Sequence, residues 1–290
     1  MNTESLLLTG ALKVFSDFTC SAEGYSIEHD TNHPKYELLK STYPIVQIAG
    51  NGSDFSKATS LLRWVHDDVL HGGGAKDVDF VPKDPLSILD YAFGKGREFG
   101  VYCRLQAIVF TESCLSIGLL ARTIHCLPFS PNDFDSHVVS MVYIEEMKKW
   151  ILLDPGSNAY FLDEDGNALS PLEARQRLAD NRIAVNSDFE PNDTKNFDER
   201  VTWYKQYMAK NLFYIKFSSI NTFGTDLVKH QTTFHLIPRG FNVKDREIAY
   251  CEYAIANCPE HLRQGWEDLL PSVRNQEIHA VSEEQFFRRA

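Results

Sequence analysis

Ser136-His137-Val138-Val139-Ser140-Met141-Val142-Tyr143-Ile144, the polar stretch Glu145-Glu146-Met147-Lys148-Lys149, and then Trp150-Ile151-Leu152-Leu153-Asp154 decide the fold. Val139, Met141 and Tyr143 alternate with their neighbours, the period of a strand. The run 150–153 is a second strand, and the polar stretch between them is a hairpin turn. In an antiparallel pair, opposite residues point to one face, and a one-residue slip turns every side chain over. A four-residue turn from Glu145 to Lys148 pairs Ile144 with Lys149. It sets His137 and Asp154 on one face. An odd turn would separate them unless a bulge intervened.

Upstream, Ala107, Phe110, Cys114 and Ile117 recur at helical spacing, and Gly118 closes the pattern. The segment Gly100-Val101-Tyr102-Cys103 sets a cysteine at the first turn of that helix. Unpaired N–H groups and the helix dipole stabilise a thiolate there, lowering its pKa below about 8.5. A free cysteine is by default a small core residue, and Cys114, three turns further on, is read that way. The order Cys103, His137, Asp154 argues otherwise for the first of them. A thiol nucleophile needs a base, and the base needs an orienting acceptor. The helix carrying Cys103 is expected to pack against the face that bears His137 and Asp154.

These residues resemble the transglutaminase-like superfamily of cysteine enzymes over about residues 57 to 160. Cys103 matches the family's nucleophile at a helix start. Gly118-Leu119-Leu120-Ala121-Arg122 resembles its Gly-Ile-x-Ala-Arg turn, and His137-Val138 its histidine at a strand start. Trp150-Ile151-Leu152-Leu153-Asp154-Pro155 is similar to its Trp-x-x-Leu-Asp-Pro signature. Leu61-Leu62-Arg63-Trp64-Val65 stands where the family has an upstream helix. Gly100 lies three residues before the cysteine instead of two, and Arg104 follows it where vertebrate crosslinking members have an aromatic. No Asp-rich loop suggests their calcium. The resemblance implies an α+β, papain-like core, with the nucleophile helix packed on an antiparallel sheet. It also implies thiol-dependent acyl transfer on an amide by an amidase, peptidase or transamidase through a thioester. The backbone N–H of Cys103 is one oxyanion donor in that reading. The alternatives are an arylamine acetyltransferase-like enzyme, whose Arg-Gly-Gly-x-Cys approach is missing, and a non-catalytic binding module.

Around this core, Asp54 to Leu70 reads as a helix with Leu61, Leu62, Val65 and Val69 on its apolar face, stopped by Gly72-Gly73-Gly74. Tyr160-Phe161-Leu162 and Ala168-Leu169 flank an Asp165-Gly166 turn. Ser170-Pro171-Leu172-Glu173 is a capping box that opens the next helix. Residues 186–200 read as a polar loop. A helix (Val201, Tyr204, Met208) and strand-like runs 213–217 and 232–237 follow. The expected organisation is an N-terminal segment 1–50 packed on the core, a catalytic core 51–185, and an extension or cap 186–290 of the same domain.

The 290 residues carry 29 Lys+Arg against 40 Asp+Glu, a net charge of −11. Nucleic acid is therefore not an expected partner, because its binders present a basic stripe. No apolar run approaches the roughly 18 residues of a membrane span. Met1 to Phe15 lacks a basic start, so no secretory signal is read and a cytoplasmic location is expected. The six cysteines are then free thiols. No cofactor is expected. Gly94-Lys95-Gly96-Arg97-Glu98-Phe99-Gly100 fails both dinucleotide and P-loop spacing and is read as a loop. A zinc site on Cys103, Cys126, His125 and His137 lacks a Cys-x-x-Cys anchor, so no metal is expected. His66, beside Asp67-Asp68, is read as a solvated or boundary residue, Arg122 as a buried ion-pair partner, and Asp133 and Asp135 as loop residues. The expected partner is a peptide, protein or small-molecule amide substrate.

Overall fold

The computed structural model describes residues 3–20, 25–72, 83–95, 100–190 and 196–289. Gly73 and Gly74, most of the 94–100 loop, and Pro191 within the expected polar loop lie outside them. The helices are α1 (Thr3–Val14), α2 (Lys35–Thr42), α3 (Ile45–Ala49), α4 (Asp54–Asp68), α5 (Pro85–Lys95), α6 (Cys103–Ser116), α7 (Pro171–Asp180), α8 (Phe197–Asn211), α9 (Val243–Asn257), α10 (Glu260–Asn275) and α11 (Glu283–Phe286). The strands are β1 (Glu28–His29), β2 (Ala121–Leu127), β3 (His137–Ile144), β4 (Lys149–Leu153), β5 (Phe161–Leu162), β6 (Ala184–Val185), β7 (Tyr214–Ser218), β8 (Ile220–Asn221), β9 (Thr233–Leu236) and β10 (His279–Val281).

The main sheet runs β10-β9-β7-β2-β3-β4, antiparallel except for the β10–β9 pair. Ile144 pairs with Lys149, as the four-residue turn requires, and Lys148 takes the left-handed conformation that tightens it. Helices cover both faces. Val139, Met141, Trp150 and Leu152 pack in one core with α1, α7 and α8 residues, including Leu12, Leu178 and Tyr204. Val142, Ile144, Ile151 and Leu153 pack in the other with α4 and α6 residues, including Leu62, Val65, Ile108 and Phe110. Every residue of α6 from Leu105 to Ser116 is buried, as expected of a helix enclosed on all sides. Ser140 on β3 faces it, accepting from the Thr111 hydroxyl at 2.8 Å and donating to the Ala107 carbonyl at 3.3 Å.

This corrects one expectation. Alternation gives the α6 side of the sheet to Ser140 and Val142, and the α8 side to Val139 and Met141. His137 and Asp154 share the parity of the second set. Helix α6 therefore does not cover their face. Its first turn meets them at the lip of the sheet, where β3 begins. The smaller predicted hairpin forms a bridge between Leu162 and Ala168, while β5 pairs with β6. Ser170 and Glu173 form the capping box on α7. Among the described residues, no helix is long and apolar enough to cross a membrane.

Candidate functional site

Two backbone segments meet at the start of α6. Helix α4 ends at Asp68, and His71 then forms a parallel bridge with Val101. The Val101 N–H donates to Leu70 O at 2.8 Å and the Gly72 N–H to Val101 O at 3.1 Å. Glycine is required on both sides. A Cβ on Gly100 would lie 2.3 Å from Gly72 N, and one on Gly72 would lie 2.7 Å from Gly100 Cα. Gly72 is therefore a close-approach glycine and not a helix stop. The approach brings the His71 ring within hydrogen-bond reach of the Cys103 thiol.

His137 opens β3, and Asp154 follows the last residue of β4. His137 Nε2 lies 2.7 Å from Asp154 Oδ2, which leaves Nδ1 for the Cys103 thiol, its other hydrogen-bond partner. Asp154 is fully buried. It also accepts from Tyr204 Oη at 2.9 Å and from the Gly156 N–H at 2.9 Å. A buried carboxylate needs such partners to stay ionised.

The electrostatics follow from these contacts. Burial pushes the Cys103 thiol up, but hydrogen bonding with His137 and His71, the His137 charge and the Val138 backbone together outweigh it and bring the thiol down to about 6. Burial pulls His137 down, but the charge of Asp154 and the bonds to Asp154 and Cys103 raise it to about 10. Burial raises Asp154, and the His137 charge with the Tyr204 and Gly156 bonds holds it below the usual carboxylate value. Between those limits Cys103 is a thiolate and His137 an imidazolium. Cys114 and Cys126, buried without such partners, are pushed well up instead.

A cleft of about 840 Å³ opens over Cys103, lined also by His71, Tyr102, Phe134, His137, Trp203 and Tyr207. Helix α8 contributes much of this wall. Tyr204 supports Asp154, and Tyr207 sets its ring edge-on to His137 at 5.1 Å. The sequence marked Tyr204 only as a helical position and gave His71 no role. The signal for His71 was the pair of glycines at 72 and 100, which together indicate two crossing backbones. Asp135 accepts from Tyr207 Oη at 3.2 Å and pairs with Lys210 at 2.9 Å, and Asp133 pairs with Lys210 at 3.0 Å, so both brace the loop before β3 against α8.

Gln106 donates to Val69 O at 2.6 Å. One amide N–H is thus engaged on the α4 side. Arg122 is fully buried and has no carboxylate partner among the described residues. Its guanidinium donates to Arg288 O at 2.7 Å and lies 4.2 Å from the Trp150 ring centroid, so cation–π contact replaces the expected ion pair. His66 is buried, in the helical row of Leu62 and Val69. With Asp67 and Glu190 it brings ligand atoms within 4.8 Å of one another. The Arg63 guanidinium already bonds both carboxylates there, at 2.8 and 3.3 Å.

Compared with known proteins, residues 44–155 match the family described as the transglutaminase-like superfamily. No curated protein matches the chain in sequence. Among solved structures, it is similar to a provisionally assigned cysteine protease from Cytophaga hutchinsonii, at 14% identity and a TM-score of 0.31. That match covers 65% of this chain and 53% of the other, so this chain spans about half the length of that protein. The stretch of this chain that is similar to the transglutaminase-like superfamily, residues 44–155, contains Cys103, His137 and Asp154.

Proposed function

We propose that the protein is a cysteine hydrolase that cleaves an amide through a thioester intermediate. The observation that carries this reading is the buried His137–Asp154 pair at 2.7 Å beside Cys103 in one cleft, with the thiol lowered to about 6 and the imidazole raised to about 10. In this reading the Cys103 thiolate attacks the amide carbonyl carbon. A C–S bond forms and the carbonyl oxygen takes the negative charge. The backbone N–H of Cys103 and the ring N–H of His71 are the two donors to that oxygen. On collapse, the C–N bond breaks and the His137 imidazolium gives its proton to the leaving amine. Water then attacks the thioester while His137 accepts a proton. The acid leaves, and the thiolate–imidazolium pair returns. Resolution by an amine is the same step with another acceptor. Asp154 keeps His137 oriented and stabilises its charged form.

The test is alkylation of the native protein by iodoacetamide across pH, with each cysteine quantified by peptide mass spectrometry. Cys103 is expected to react fastest of the six, with a midpoint near 6. In His137→Ala the midpoint moves toward the ordinary thiol value of about 8.5. A Cys103 that reacts no faster than the exposed Cys20 removes the reading.

A further inference from the structure

We infer that the cleft selects peptides with an aromatic side chain beside the scissile amide, and that Trp203 and Phe134 receive that side chain. The inference rests on the cysteine-hydrolase reading above. Three large aromatic residues of the cleft wall stay substantially exposed: Tyr102 at 49%, Phe134 at 47% and Trp203 at 42%. They come from three separate segments: the residue before α6, the loop before β3, and α8. Scattered exposed aromatics need no explanation. Their convergence on one concave surface beside a reactive thiol marks a binding surface.

The rings are also held from behind. Trp203 stacks on Tyr207 at 5.0 Å with 13° between planes. Phe134 rests against Tyr250 and Tyr253 of α9 at 5.6 and 5.1 Å. A ring fixed in advance loses little conformational entropy when a ligand covers it.

Charge decides against charged side chains. Asp135 is engaged by Lys210 and Tyr207, and Arg104 is bonded to Asp226 at 2.8 Å. A charged substrate side chain would have to break one of these pairs to gain another in a half-solvated cleft, which yields little. The net charge of −11 further disfavours acidic peptides. An aromatic side chain meets the exposed parts of these rings in stacked or edge geometry. At about 840 Å³ the cleft has room for a short peptide beyond a simple amide.

The test uses peptidyl chloromethyl ketones with phenylalanine, glycine, glutamate or lysine at either of the two positions before the ketone. The Cys103 thiolate displaces chloride from the methylene carbon, so a C–S bond forms as the C–Cl bond breaks. The adduct is read by mass spectrometry, and each rate is divided by that protein's iodoacetamide rate at Cys103. The phenylalanine reagents are expected to outpace the glycine ones by roughly 10- to 200-fold. That ratio falls toward unity in Trp203→Ala and Phe134→Ala and is largely kept in Trp203→Phe. Equal phenylalanine and glycine rates in the wild type overturn the inference, as does a fastest glutamate or lysine reagent, or a preference that survives both alanine variants. A Cys103 reactive to iodoacetamide but indifferent to phenylalanine removes this inference alone. A Cys103 no more reactive than Cys20 removes the hydrolase reading and this inference with it.

Discussion

At Cys103, burial and hydrogen bonding oppose each other, and hydrogen bonding wins. Two imidazoles reach one thiol, but among the described residues only His137 is backed by a carboxylate, and that difference divides their roles. The sign of the pH dependence follows. Turnover requires Cys103 deprotonated and His137 protonated, so it rises as pH passes about 6 and falls as pH passes about 10. A bell-shaped kcat/KM profile with those limbs checks it. In His71→Ala the alkylation midpoint of Cys103 shifts up less than in His137→Ala, because His137 contributes both a bond and a charge. Tyr204 is the other residue whose effect can be stated. Burial and the Asp154 charge hold its hydroxyl protonated, and so a donor to Asp154. Tyr204→Phe leaves the buried carboxylate with one partner fewer and costs about 1–3 kcal/mol, measurable by urea unfolding with unchanged m-value. A loss below the precision of that measurement would mean that the bond is replaced.

Between elements, the decisive contact is the close crossing of the chain after α4 with the chain before α6. Gly100→Ala puts a methyl group 2.3 Å from the Gly72 nitrogen, so the segments must part and His71 leaves the thiol. The expected result is a lower melting temperature together with a higher alkylation midpoint at Cys103. A variant that melts lower but keeps the midpoint shows that the crossing serves stability alone. The same crossing explains what the sequence made legible. Helices α4 and α6 and the β3–β4 hairpin were readable because local periodicity and turn length determine them, and the pairing of Ile144 with Lys149 followed from counting residues. The contribution of α8 was not readable, because Tyr204 reaches Asp154 across fifty residues and looks like any helical tyrosine. His66 misled because Asp67-Asp68 follow it, although its own helical row holds Leu62 and Val69. Arg122 misled because a buried guanidinium suggests a carboxylate, whereas Trp150, Phe217 and Phe286 surround it.

Across the whole molecule, the stretch that matches the family and the folded unit do not coincide. Residues 44–155 contain the three residues of the proposed triad but only β2, β3 and β4 of a six-stranded sheet. Cutting there turns β2 into an open edge, a template for aggregation. It also strips α1, α7 and α8 from one face, uncovering Ile124, Val139, Met141, Trp150 and Leu152. At about 1.5–3 kcal/mol for each large apolar side chain, that loss is comparable with the whole stability of a domain, about 5–15 kcal/mol. Arg122 loses the carbonyl of Arg288, and Asp154 loses Tyr204. A fragment spanning residues 44–155 is therefore expected to show no cooperative unfolding transition and to bind a hydrophobic dye. Its Cys103 should titrate as an ordinary thiol near 8.5, while the full chain alkylates with a midpoint near 6. A soluble fragment that melts cooperatively and keeps the low midpoint would show that the outer strands and α8 are dispensable, and that the thiolate–imidazolium pair is a property of the core alone.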